Sequence, residues 1–170
     1  MVEAFQDLHW GPANWCFVHL SDWWVKSLLI IAIGLAADLA SRRRFPLAAV
    51  LAAISYLVAT LLANILKAAT DRPRPSVADP AIHPLIAVPG SSSLPSGHAA
   101  GAFAAALAVG LVHPRLRWPL LLLAGLIALS RVWLGVHYLT DVIAGSALGC
   151  VVAYAAFRIA VIIGARTSSP

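Results

Sequence analysis

The sequence predicts an all-α protein, an integral-membrane helical bundle of five to six spans with a functional site at one membrane face. Of its 170 residues, 61% are hydrophobic and 11% are charged, whereas a soluble domain is about half apolar and a quarter charged. Apolar runs of membrane-spanning length alternate with short polar connections. Ionisable side chains gather where these runs end, and such groups at membrane depth usually mark a functional site. We expect a single domain over residues 1–170.

The first 22 residues mix aromatic and charged side chains, which is typical of an interfacial segment. The sequence has no basic stretch followed by an apolar core at its start, so we expect no cleaved signal. Trp23 and Trp24 then indicate an aromatic anchor at the membrane surface. The first span, residues 23–40, is near the minimum length for a crossing. The arginine triplet 42–44 follows it and places this end at the cytoplasmic side.

Four further spans follow the first. They are predicted at residues 47–66, 98–112, 118–134 and 138–163. Arg115, Arg117, Arg158 and Arg166 fall on the same side as the arginine triplet, so the positive-inside rule places the polar loop 67–98 outside. An odd number of spans puts the N-terminus outside as well, unless residues 1–22 insert. Gly97 with Gly101, and Gly145 with Gly149, stand at helical spacing and predict close helix packing.

The net charge of +5 would suggest nucleic acid in a soluble protein. Here no basic run is interleaved with aromatic residues for base stacking, so we expect no nucleic-acid partner. Cys16 and Cys150 are far apart in the sequence, and the second lies in an apolar run. We therefore expect free thiols.

The stretch 130–141 carries the strongest chemical signal. His137 and Asp141 are four residues apart, so on a helix they share a face. A carboxylate there can accept from one imidazole nitrogen and leave the other free to attack. Arg131 supplies a positive fork that suits phosphate.

Two further motifs are predicted at the same membrane face. Lys67 closes the second span and Arg74 follows in a proline-rich turn; a snorkelling lysine and a basic loop would explain them equally well. Ser96 is a candidate N-cap, Gly97 lets the backbone approach a ligand, and free amides at a helix start bind phosphate oxygens. His98 beside them can give a proton to a leaving oxygen.

The three motifs together are more specific than any one of them. They offer three cations, two histidines, a serine and a single carboxylate, which suits phosphate. A metal site is disfavoured because one carboxylate and no cysteine are present. The combination predicts a membrane-embedded phosphoryl-transfer enzyme that needs no metal or other cofactor.

These motifs also resemble those of a known family. Lys67-x6-Arg74-Pro75, then Pro95-Ser96-Gly97-His98, then Ser130-Arg131-x5-His137-x3-Asp141 is similar to the type 2 phosphatidic acid phosphatase family, which shares a superfamily with vanadium haloperoxidases and bacterial acid phosphatases. The resemblance covers residues 67–141, and the apolar spans point to its membrane branch, the lipid phosphate phosphatases. Membrane members often have six spans, and this chain lacks room for a substrate-binding periplasmic subdomain.

The resemblance implies a role for each motif residue. His137 is the expected nucleophile, forming a phosphohistidine, Asp141 holds it, and His98 protonates the leaving group and later activates water. The expected phosphate-binding residues are Lys67, Arg74, Ser96, Gly97 and Arg131.

The expected substrate is a phosphorylated membrane lipid of a bacterial inner membrane, best an undecaprenyl-type diphosphate or phosphate. Phosphatidylglycerophosphate, phosphatidate and a polyprenyl-phosphoribose phosphate are alternatives. A protein of another class, which binds or transports phospholipid without turnover, would use the same cations; a haloperoxidase would need bound vanadate. The sequence gives no indication of the oligomeric state.

Several residues near the motifs have a weaker signal. Arg72 is either an accessory cation or a surface charge, and we favour the surface charge. We predict Asn64 and Tyr138 to support the motif residues, and residues 90–93 to form a lid. Asp38 is expected to be paired locally. Asp71, Asp79 and His83 are assigned to a solvated loop.

Overall fold

The computed structural model describes residues 11–20, 23–42 and 45–167, and the regular structure within these ranges is helical, as predicted. In chain order the α-helices are α1 (Gly11–Leu20), α2 (Trp23–Ala40), α3 (Leu47–Thr70), α4 (Pro75–Ala78), α5 (Gly97–Val112), α6 (Arg117–Trp133) and α7 (Leu139–Thr167). A single 3₁₀ turn, Pro114–Leu116, joins α5 to α6 in the described chain. Residues 1–10, Arg43, Arg44 and the side chains of Trp23, Trp24 and Arg166 lie outside the described part.

The five predicted spans correspond to α2, α3, α5, α6 and α7, with boundaries that agree to within four residues at each end. Three segments of the described chain are long and apolar enough to cross a membrane, namely Leu47–Ala78, Pro114–Trp133 and Leu139–Gly164. Two shorter apolar helical segments, Ser27–Ala40 and Gly97–Val112, accompany them. The regular structure of the described ranges is therefore helical, with helices suited to a membrane, and a count of five to six crossings stays a prediction.

Helix α5 lies at the centre of the bundle. Ten of its sixteen residues are buried, and nine of these ten are alanine or glycine. It packs against α3, α6 and α7. Small side chains allow helix axes to approach closely, so van der Waals contact between backbones holds this bundle together.

Glycines make the closest contacts of α5 with its neighbours. A Cβ atom added at Gly145 or Gly149 of α7 would collide with the backbone carbonyl oxygen of Ser96 or Ala100. These contacts, and that of Gly101 with α3, confirm the predicted close packing. Gly97 is not in close contact with a neighbouring helix, because the nearest atom to a Cβ there would be Nζ of Lys67 at 4.0 Å.

Helix α1 packs against the C-terminal end of α6. Trp133 Nε1 donates a hydrogen bond of 3.0 Å to Asn14 Oδ1, and the rings of Phe17 and Trp133 lie 4.9 Å apart. These contacts hold α1 against the end of α6, and an interfacial location of the N-terminal segment stays a prediction. Cys16 and Cys150 are both free thiols, as predicted.

Asp38 is buried at the opposite end of the bundle, with 1% of its surface exposed. Its Oδ2 accepts hydrogen bonds from the amides of Ala48 (2.7 Å) and Ala49 (3.3 Å), in the first turn of α3. Its Oδ1 lies 2.9 Å from Nε2 of His113. Asp38 is thus paired locally, as predicted, and caps α3 from a neighbouring helix.

Candidate active site

The loop between α6 and α7 is shaped by Gly135, whose φ of 73° lies in the left-handed region. Glycine adopts this conformation without steric strain and commonly ends a helix there. The chain then folds back, so that the amides of Val136 and His137 both donate to the carbonyl oxygen of Arg131, at 3.3 and 3.2 Å. The turn therefore fixes the backbone of His137 directly over the last turn of α6.

The imidazole of His137 is buried between a carboxylate and a guanidinium. Its Nδ1 lies 3.5 Å from Asp141 Oδ2, and its Nε2 lies 3.2 Å from Nη1 of Arg74. An arginine can only donate, so Nε2 accepts, and the proton of the neutral ring sits on Nδ1, towards the carboxylate. The lone pair of Nε2 therefore points to the cationic side of the site.

Burial lowers the pKa of His137 to about 4. The Asp141 carboxylate raises this pKa, but Arg74, Arg131 and Lys67 lower it further. The imidazole is therefore neutral at physiological pH and keeps the lone pair that a nucleophile needs.

Arg74, which is 3% exposed, connects the loop after α4 to the His137 loop. Its guanidinium donates to the carbonyl oxygens of Ser91 and Val136, both at 2.9 Å. The serine segment is also tied back to the chain before α4, because the Ser93 amide donates to the Arg72 carbonyl at 3.0 Å. These bonds hold residues 91–93 beside the site, and the lid of residues 90–93 stays a prediction.

Ser96 occupies the N-cap position of α5, as predicted, but its hydroxyl makes no capping hydrogen bond. Its amide donates 2.9 Å to the carbonyl oxygen of Asp141, which joins the starts of α5 and α7. The Ser96 Oγ is fully buried and makes no hydrogen bond with the described residues. This hydroxyl is therefore available to a ligand oxygen.

Lys67 reaches the same place from the end of α3. Its Nζ lies beside Gly97, and it is within electrostatic reach of Arg74, Arg131 and Asp141. Gly97 leaves the space that this ammonium group uses. The structure thus brings the residues of the three motifs to one end of the bundle. His98 and Asn64 line a cavity there together with Lys67.

The favoured prediction for Arg72, a surface charge, is wrong, and its contacts agree with the alternative of an accessory cation. Its Nη1 lies 2.7 Å from Oδ1 of Asp141 and 2.8 Å from Oγ1 of Thr140, and its guanidinium stacks 4.1 Å from the ring centre of Tyr138. The other carboxylate oxygen of Asp141 accepts the Tyr138 amide at 2.8 Å. The repeated Arg-Pro of residues 72–75 could have indicated that both arginines serve the site. The spacing of the motif from Lys67 pointed to Arg74 alone.

The long connection between α3 and α5 is exposed at Asp71 and His83, as expected for a solvated loop. Asp79 accepts a local hydrogen bond of 2.9 Å from the Ala81 amide.

Residues 48–163 match the family model of the PAP2 superfamily. The chain belongs to this superfamily. It is 31% identical over 132 residues to undecaprenyl-diphosphatase BcrC of Bacillus subtilis, a match that covers 78% of this chain and 66% of that protein. It is 35% identical over 138 residues to decaprenylphosphoryl-5-phosphoribose phosphatase of Mycobacterium tuberculosis, which covers 79% of this chain and 71% of that protein.

The fold of this PAP2 chain is similar to a crystal structure of a transmembrane PAP2-type phosphatidylglycerolphosphate phosphatase from Bacillus subtilis. The TM-score is 0.76 at 24% identity, over 95% of this chain and 83% of that one. The chain spans slightly less than two thirds of the length of undecaprenyl-diphosphatase BcrC.

Proposed function

We propose that this PAP2 chain is a metal-independent phosphatase that hydrolyses a phosphomonoester or diphosphate on a membrane lipid. The observation that carries the proposal is the placement of Lys67, Arg74 and Arg131 around the neutral imidazole of His137. Together with Arg72 these cations outnumber the one carboxylate, Asp141, that faces them, so the site favours a phosphoryl group with two negative charges.

His137 is the proposed nucleophile. Its Nε2 lone pair attacks phosphorus, the bond from phosphorus to the leaving oxygen breaks, and His98 gives that oxygen a proton. A phosphohistidine and the dephosphorylated lipid result. His98 then takes a proton from water, the water oxygen attacks phosphorus, and inorganic phosphate leaves as the bond to Nε2 breaks.

Asp141 stabilises the positive charge that His137 gains when it is phosphorylated. Its Oδ2 is 3.5 Å from Nδ1 in the free protein, a distance that a small approach of the ring would shorten to a normal hydrogen bond. The phosphoryl oxygens are proposed to bind Lys67, Arg74, Arg131, the Ser96 hydroxyl and the Gly97 amide. Fixed charges and donors of this kind supply most of the catalysis in phosphoryl transfer.

The proposed substrate is a polyprenyl lipid phosphate. The two relatives described above support it, since one is an undecaprenyl-diphosphatase and the other a decaprenylphosphoryl-5-phosphoribose phosphatase. Phosphatidylglycerophosphate and phosphatidate share the phosphoryl chemistry and belong in any substrate panel.

We place the site at the extracytoplasmic face of a bacterial inner membrane, in a single domain of five spans with an interfacial N-terminal segment. The arginines at positions 115, 117 and 158 support this orientation, because they fall towards the bundle end opposite the site.

Phosphate release from detergent-purified protein tests the proposal. The substrates are a polyprenyl diphosphate, a polyprenyl-phosphoribose phosphate, phosphatidylglycerophosphate and phosphatidate, each with EDTA present. We expect release from at least one lipid, and none from His137→Ala. Release that persists in this variant would remove His137 as the nucleophile. Binding of these lipids without any release would replace the phosphatase by a phospholipid-binding or transport protein.

A further inference from the structure

A cavity of about 180 Å³ extends from the candidate active site into the bundle. Lys67, Gly97 and His98 line the end that adjoins the phosphate-binding groups. The remaining lining residues are Ser27, Tyr56, Thr60, Asn64 and Ile127. The cavity therefore continues the site towards the membrane interior, between α2, α3, α5 and α6.

One face of α3 supplies most of the polar lining. Tyr56, Thr60 and Asn64 are spaced four residues apart, and Lys67 continues this row. The row rises by about 16 Å along the helix at 1.5 Å per residue. Uncharged polar side chains this far below a membrane-surface site are unfavourable unless they have partners inside the bundle. The side chains of Ser27 and Thr60 lie close to the hydroxyl of Tyr56, so hydroxyls from two helices gather in the cavity.

Gly101 of α5 makes room for this arrangement. A Cβ atom there would lie 2.6 Å from the ring of Tyr56 and 3.1 Å from Oγ1 of Thr60. Tyr56 and Thr60 thus lie directly against the α5 backbone, a contact that a glycine at position 101 allows because it has no Cβ atom. The cavity wall is closely packed at this point, so its polar lining is held in place.

The reaction geometry gives the cavity a role. An in-line displacement puts the leaving oxygen on the side of phosphorus opposite Nε2 of His137, where His98 protonates it. Since His98 also lines the cavity, the group bonded to the leaving oxygen would enter the cavity.

We infer that this cavity is a leaving-group subsite for a neutral, hydroxylated group such as a sugar or glycerol carbon bearing hydroxyls. The inference rests on the proposed function and narrows its substrate to a phosphomonoester of a lipid-linked polyol. Hydroxyl and amide side chains both donate and accept, which matches hydroxyl groups. Beyond Lys67 and His98, which serve the phosphoryl group, the cavity lining carries no charge. A second phosphate would bury its negative charge there without a cation.

A matched pair of substrates tests the subsite. One is a prenyl riboside 5-phosphate, whose single phosphate is the phosphomonoester. The other replaces the ribose by pentane-1,5-diol, which removes the sugar hydroxyls and the ring and keeps the phosphomonoester and the prenyl chain. We expect kcat/KM of the unmodified protein to favour the ribosyl lipid by about 10-fold or more, since each hydrogen bond contributes about 1 kcal/mol. In Tyr56→Phe and Thr60→Val this preference should fall to less than about 3-fold.

Ser55→Ala is the matched control. Ser55 is the buried neighbour of Tyr56 on α3, and its hydroxyl makes no hydrogen bond with the described residues. It does not line the cavity, so the control should keep the full preference. Thermal unfolding in detergent establishes that each variant is folded, and Thr60→Ser, which keeps the hydroxyl, should retain the preference even if Thr60→Val does not fold.

The outcomes separate the two proposals. Equal turnover of both lipids, or a preference that the two variants leave intact, would overturn the subsite and leave the phosphatase standing. Faster cleavage of a polyprenyl diphosphate, reduced selectively by Tyr56→Phe and Thr60→Val, would assign the cavity to a second phosphate and also overturn it. Failure to hydrolyse any lipid phosphate would instead remove the proposed function and the subsite with it.

Discussion

Nη1 of Arg72 lies 2.7 Å from Oδ1 of Asp141, although 69 residues separate the two in sequence. This ion pair leaves the other oxygen, Oδ2, to face Nδ1 of His137 and to accept the Tyr138 amide. The carboxylate is therefore held by the Arg72 guanidinium and the Tyr138 amide, from two parts of the chain, and faces the imidazole. Arg72, which is not part of the motif spacing, fixes the orientation of the group that supports the proposed nucleophile.

Replacing Arg72 should slow turnover. We expect Arg72→Gln to lower kcat/KM by about 10- to 100-fold, because removal of a group that orients a catalytic side chain has effects of this size. Arg72→Lys should retain more activity because it keeps the charge. Phosphate release at saturating and limiting lipid concentrations measures the change.

Arg158→Gln is the control for Arg72, because Arg158 is exposed on α7 and bonds only its neighbour Tyr154 among its described contacts. It should behave as the unmodified protein does. Full activity in Arg72→Gln would show that the ion pair has no part in orienting Asp141.

The low pKa of His137 has a measurable consequence. With a folded-state pKa of about 4 and an unfolded value near 6.5, the unfolded chain binds the proton first as the pH falls. The contribution of His137 to stability should thus be constant above about pH 6.5 and decline from there towards pH 4. NMR of ¹⁵N-histidine-labelled protein, with His137→Gln to assign the signal, should show a neutral ring down to about pH 5. A midpoint near 6.5 would contradict this expectation.

Close contact between α5 and α7 predicts that Gly149→Ala is destabilising. A Cβ there collides with the backbone carbonyl of Ala100, which cannot move without shifting α5. We expect a loss of about 1–3 kcal/mol, the range found for overpacked cores, seen as a lower thermal midpoint in detergent. Gly125→Ala on α6, where a Cβ would meet nothing within 4 Å, should be neutral or slightly stabilising. Equal midpoints for the two variants would refute the packing account.

Asp38 should matter for stability and not for chemistry. Asp38→Ala leaves the amides of Ala48 and Ala49 without their acceptor and His113 without its partner. A loss of about 1–3 kcal/mol is expected for unpaired buried groups, with kcat/KM changed less than about twofold at temperatures where the protein is folded. Asp79→Ala, which removes one hydrogen bond in an exposed connection, is the comparison. A large drop in kcat/KM for the folded Asp38 variant would connect this pair to the active site.

Much of the architecture followed from local properties of the sequence. Apolar run lengths predicted the helices because membrane-embedded backbone must satisfy its own hydrogen bonds. The convergence of Lys67, His137 and their partners followed from motifs at span ends on one predicted face. The role of Arg72 did not, because it depends on how two distant connections meet above the helices. The proximity of Ser27 and Tyr56 could not be predicted from the sequence either, since it depends on how α2 and α3 are rotated about their axes.

The burial of α5 at the centre of the bundle determines which amino-acid substitutions the protein accepts. Its alanines and glycines contact helices on several sides, so almost any longer side chain there would push the starts of α5 and α7 apart. Ser96 and Asp141, joined through backbone atoms at these two starts, would separate with them. The size of the side chains of α5 thus determines the distance between Ser96 and Asp141 in the candidate active site. In a saturation library, substitutions deep in α5 would impair turnover at a distance, whereas the outward faces of α3 and α7 would accept wide variation.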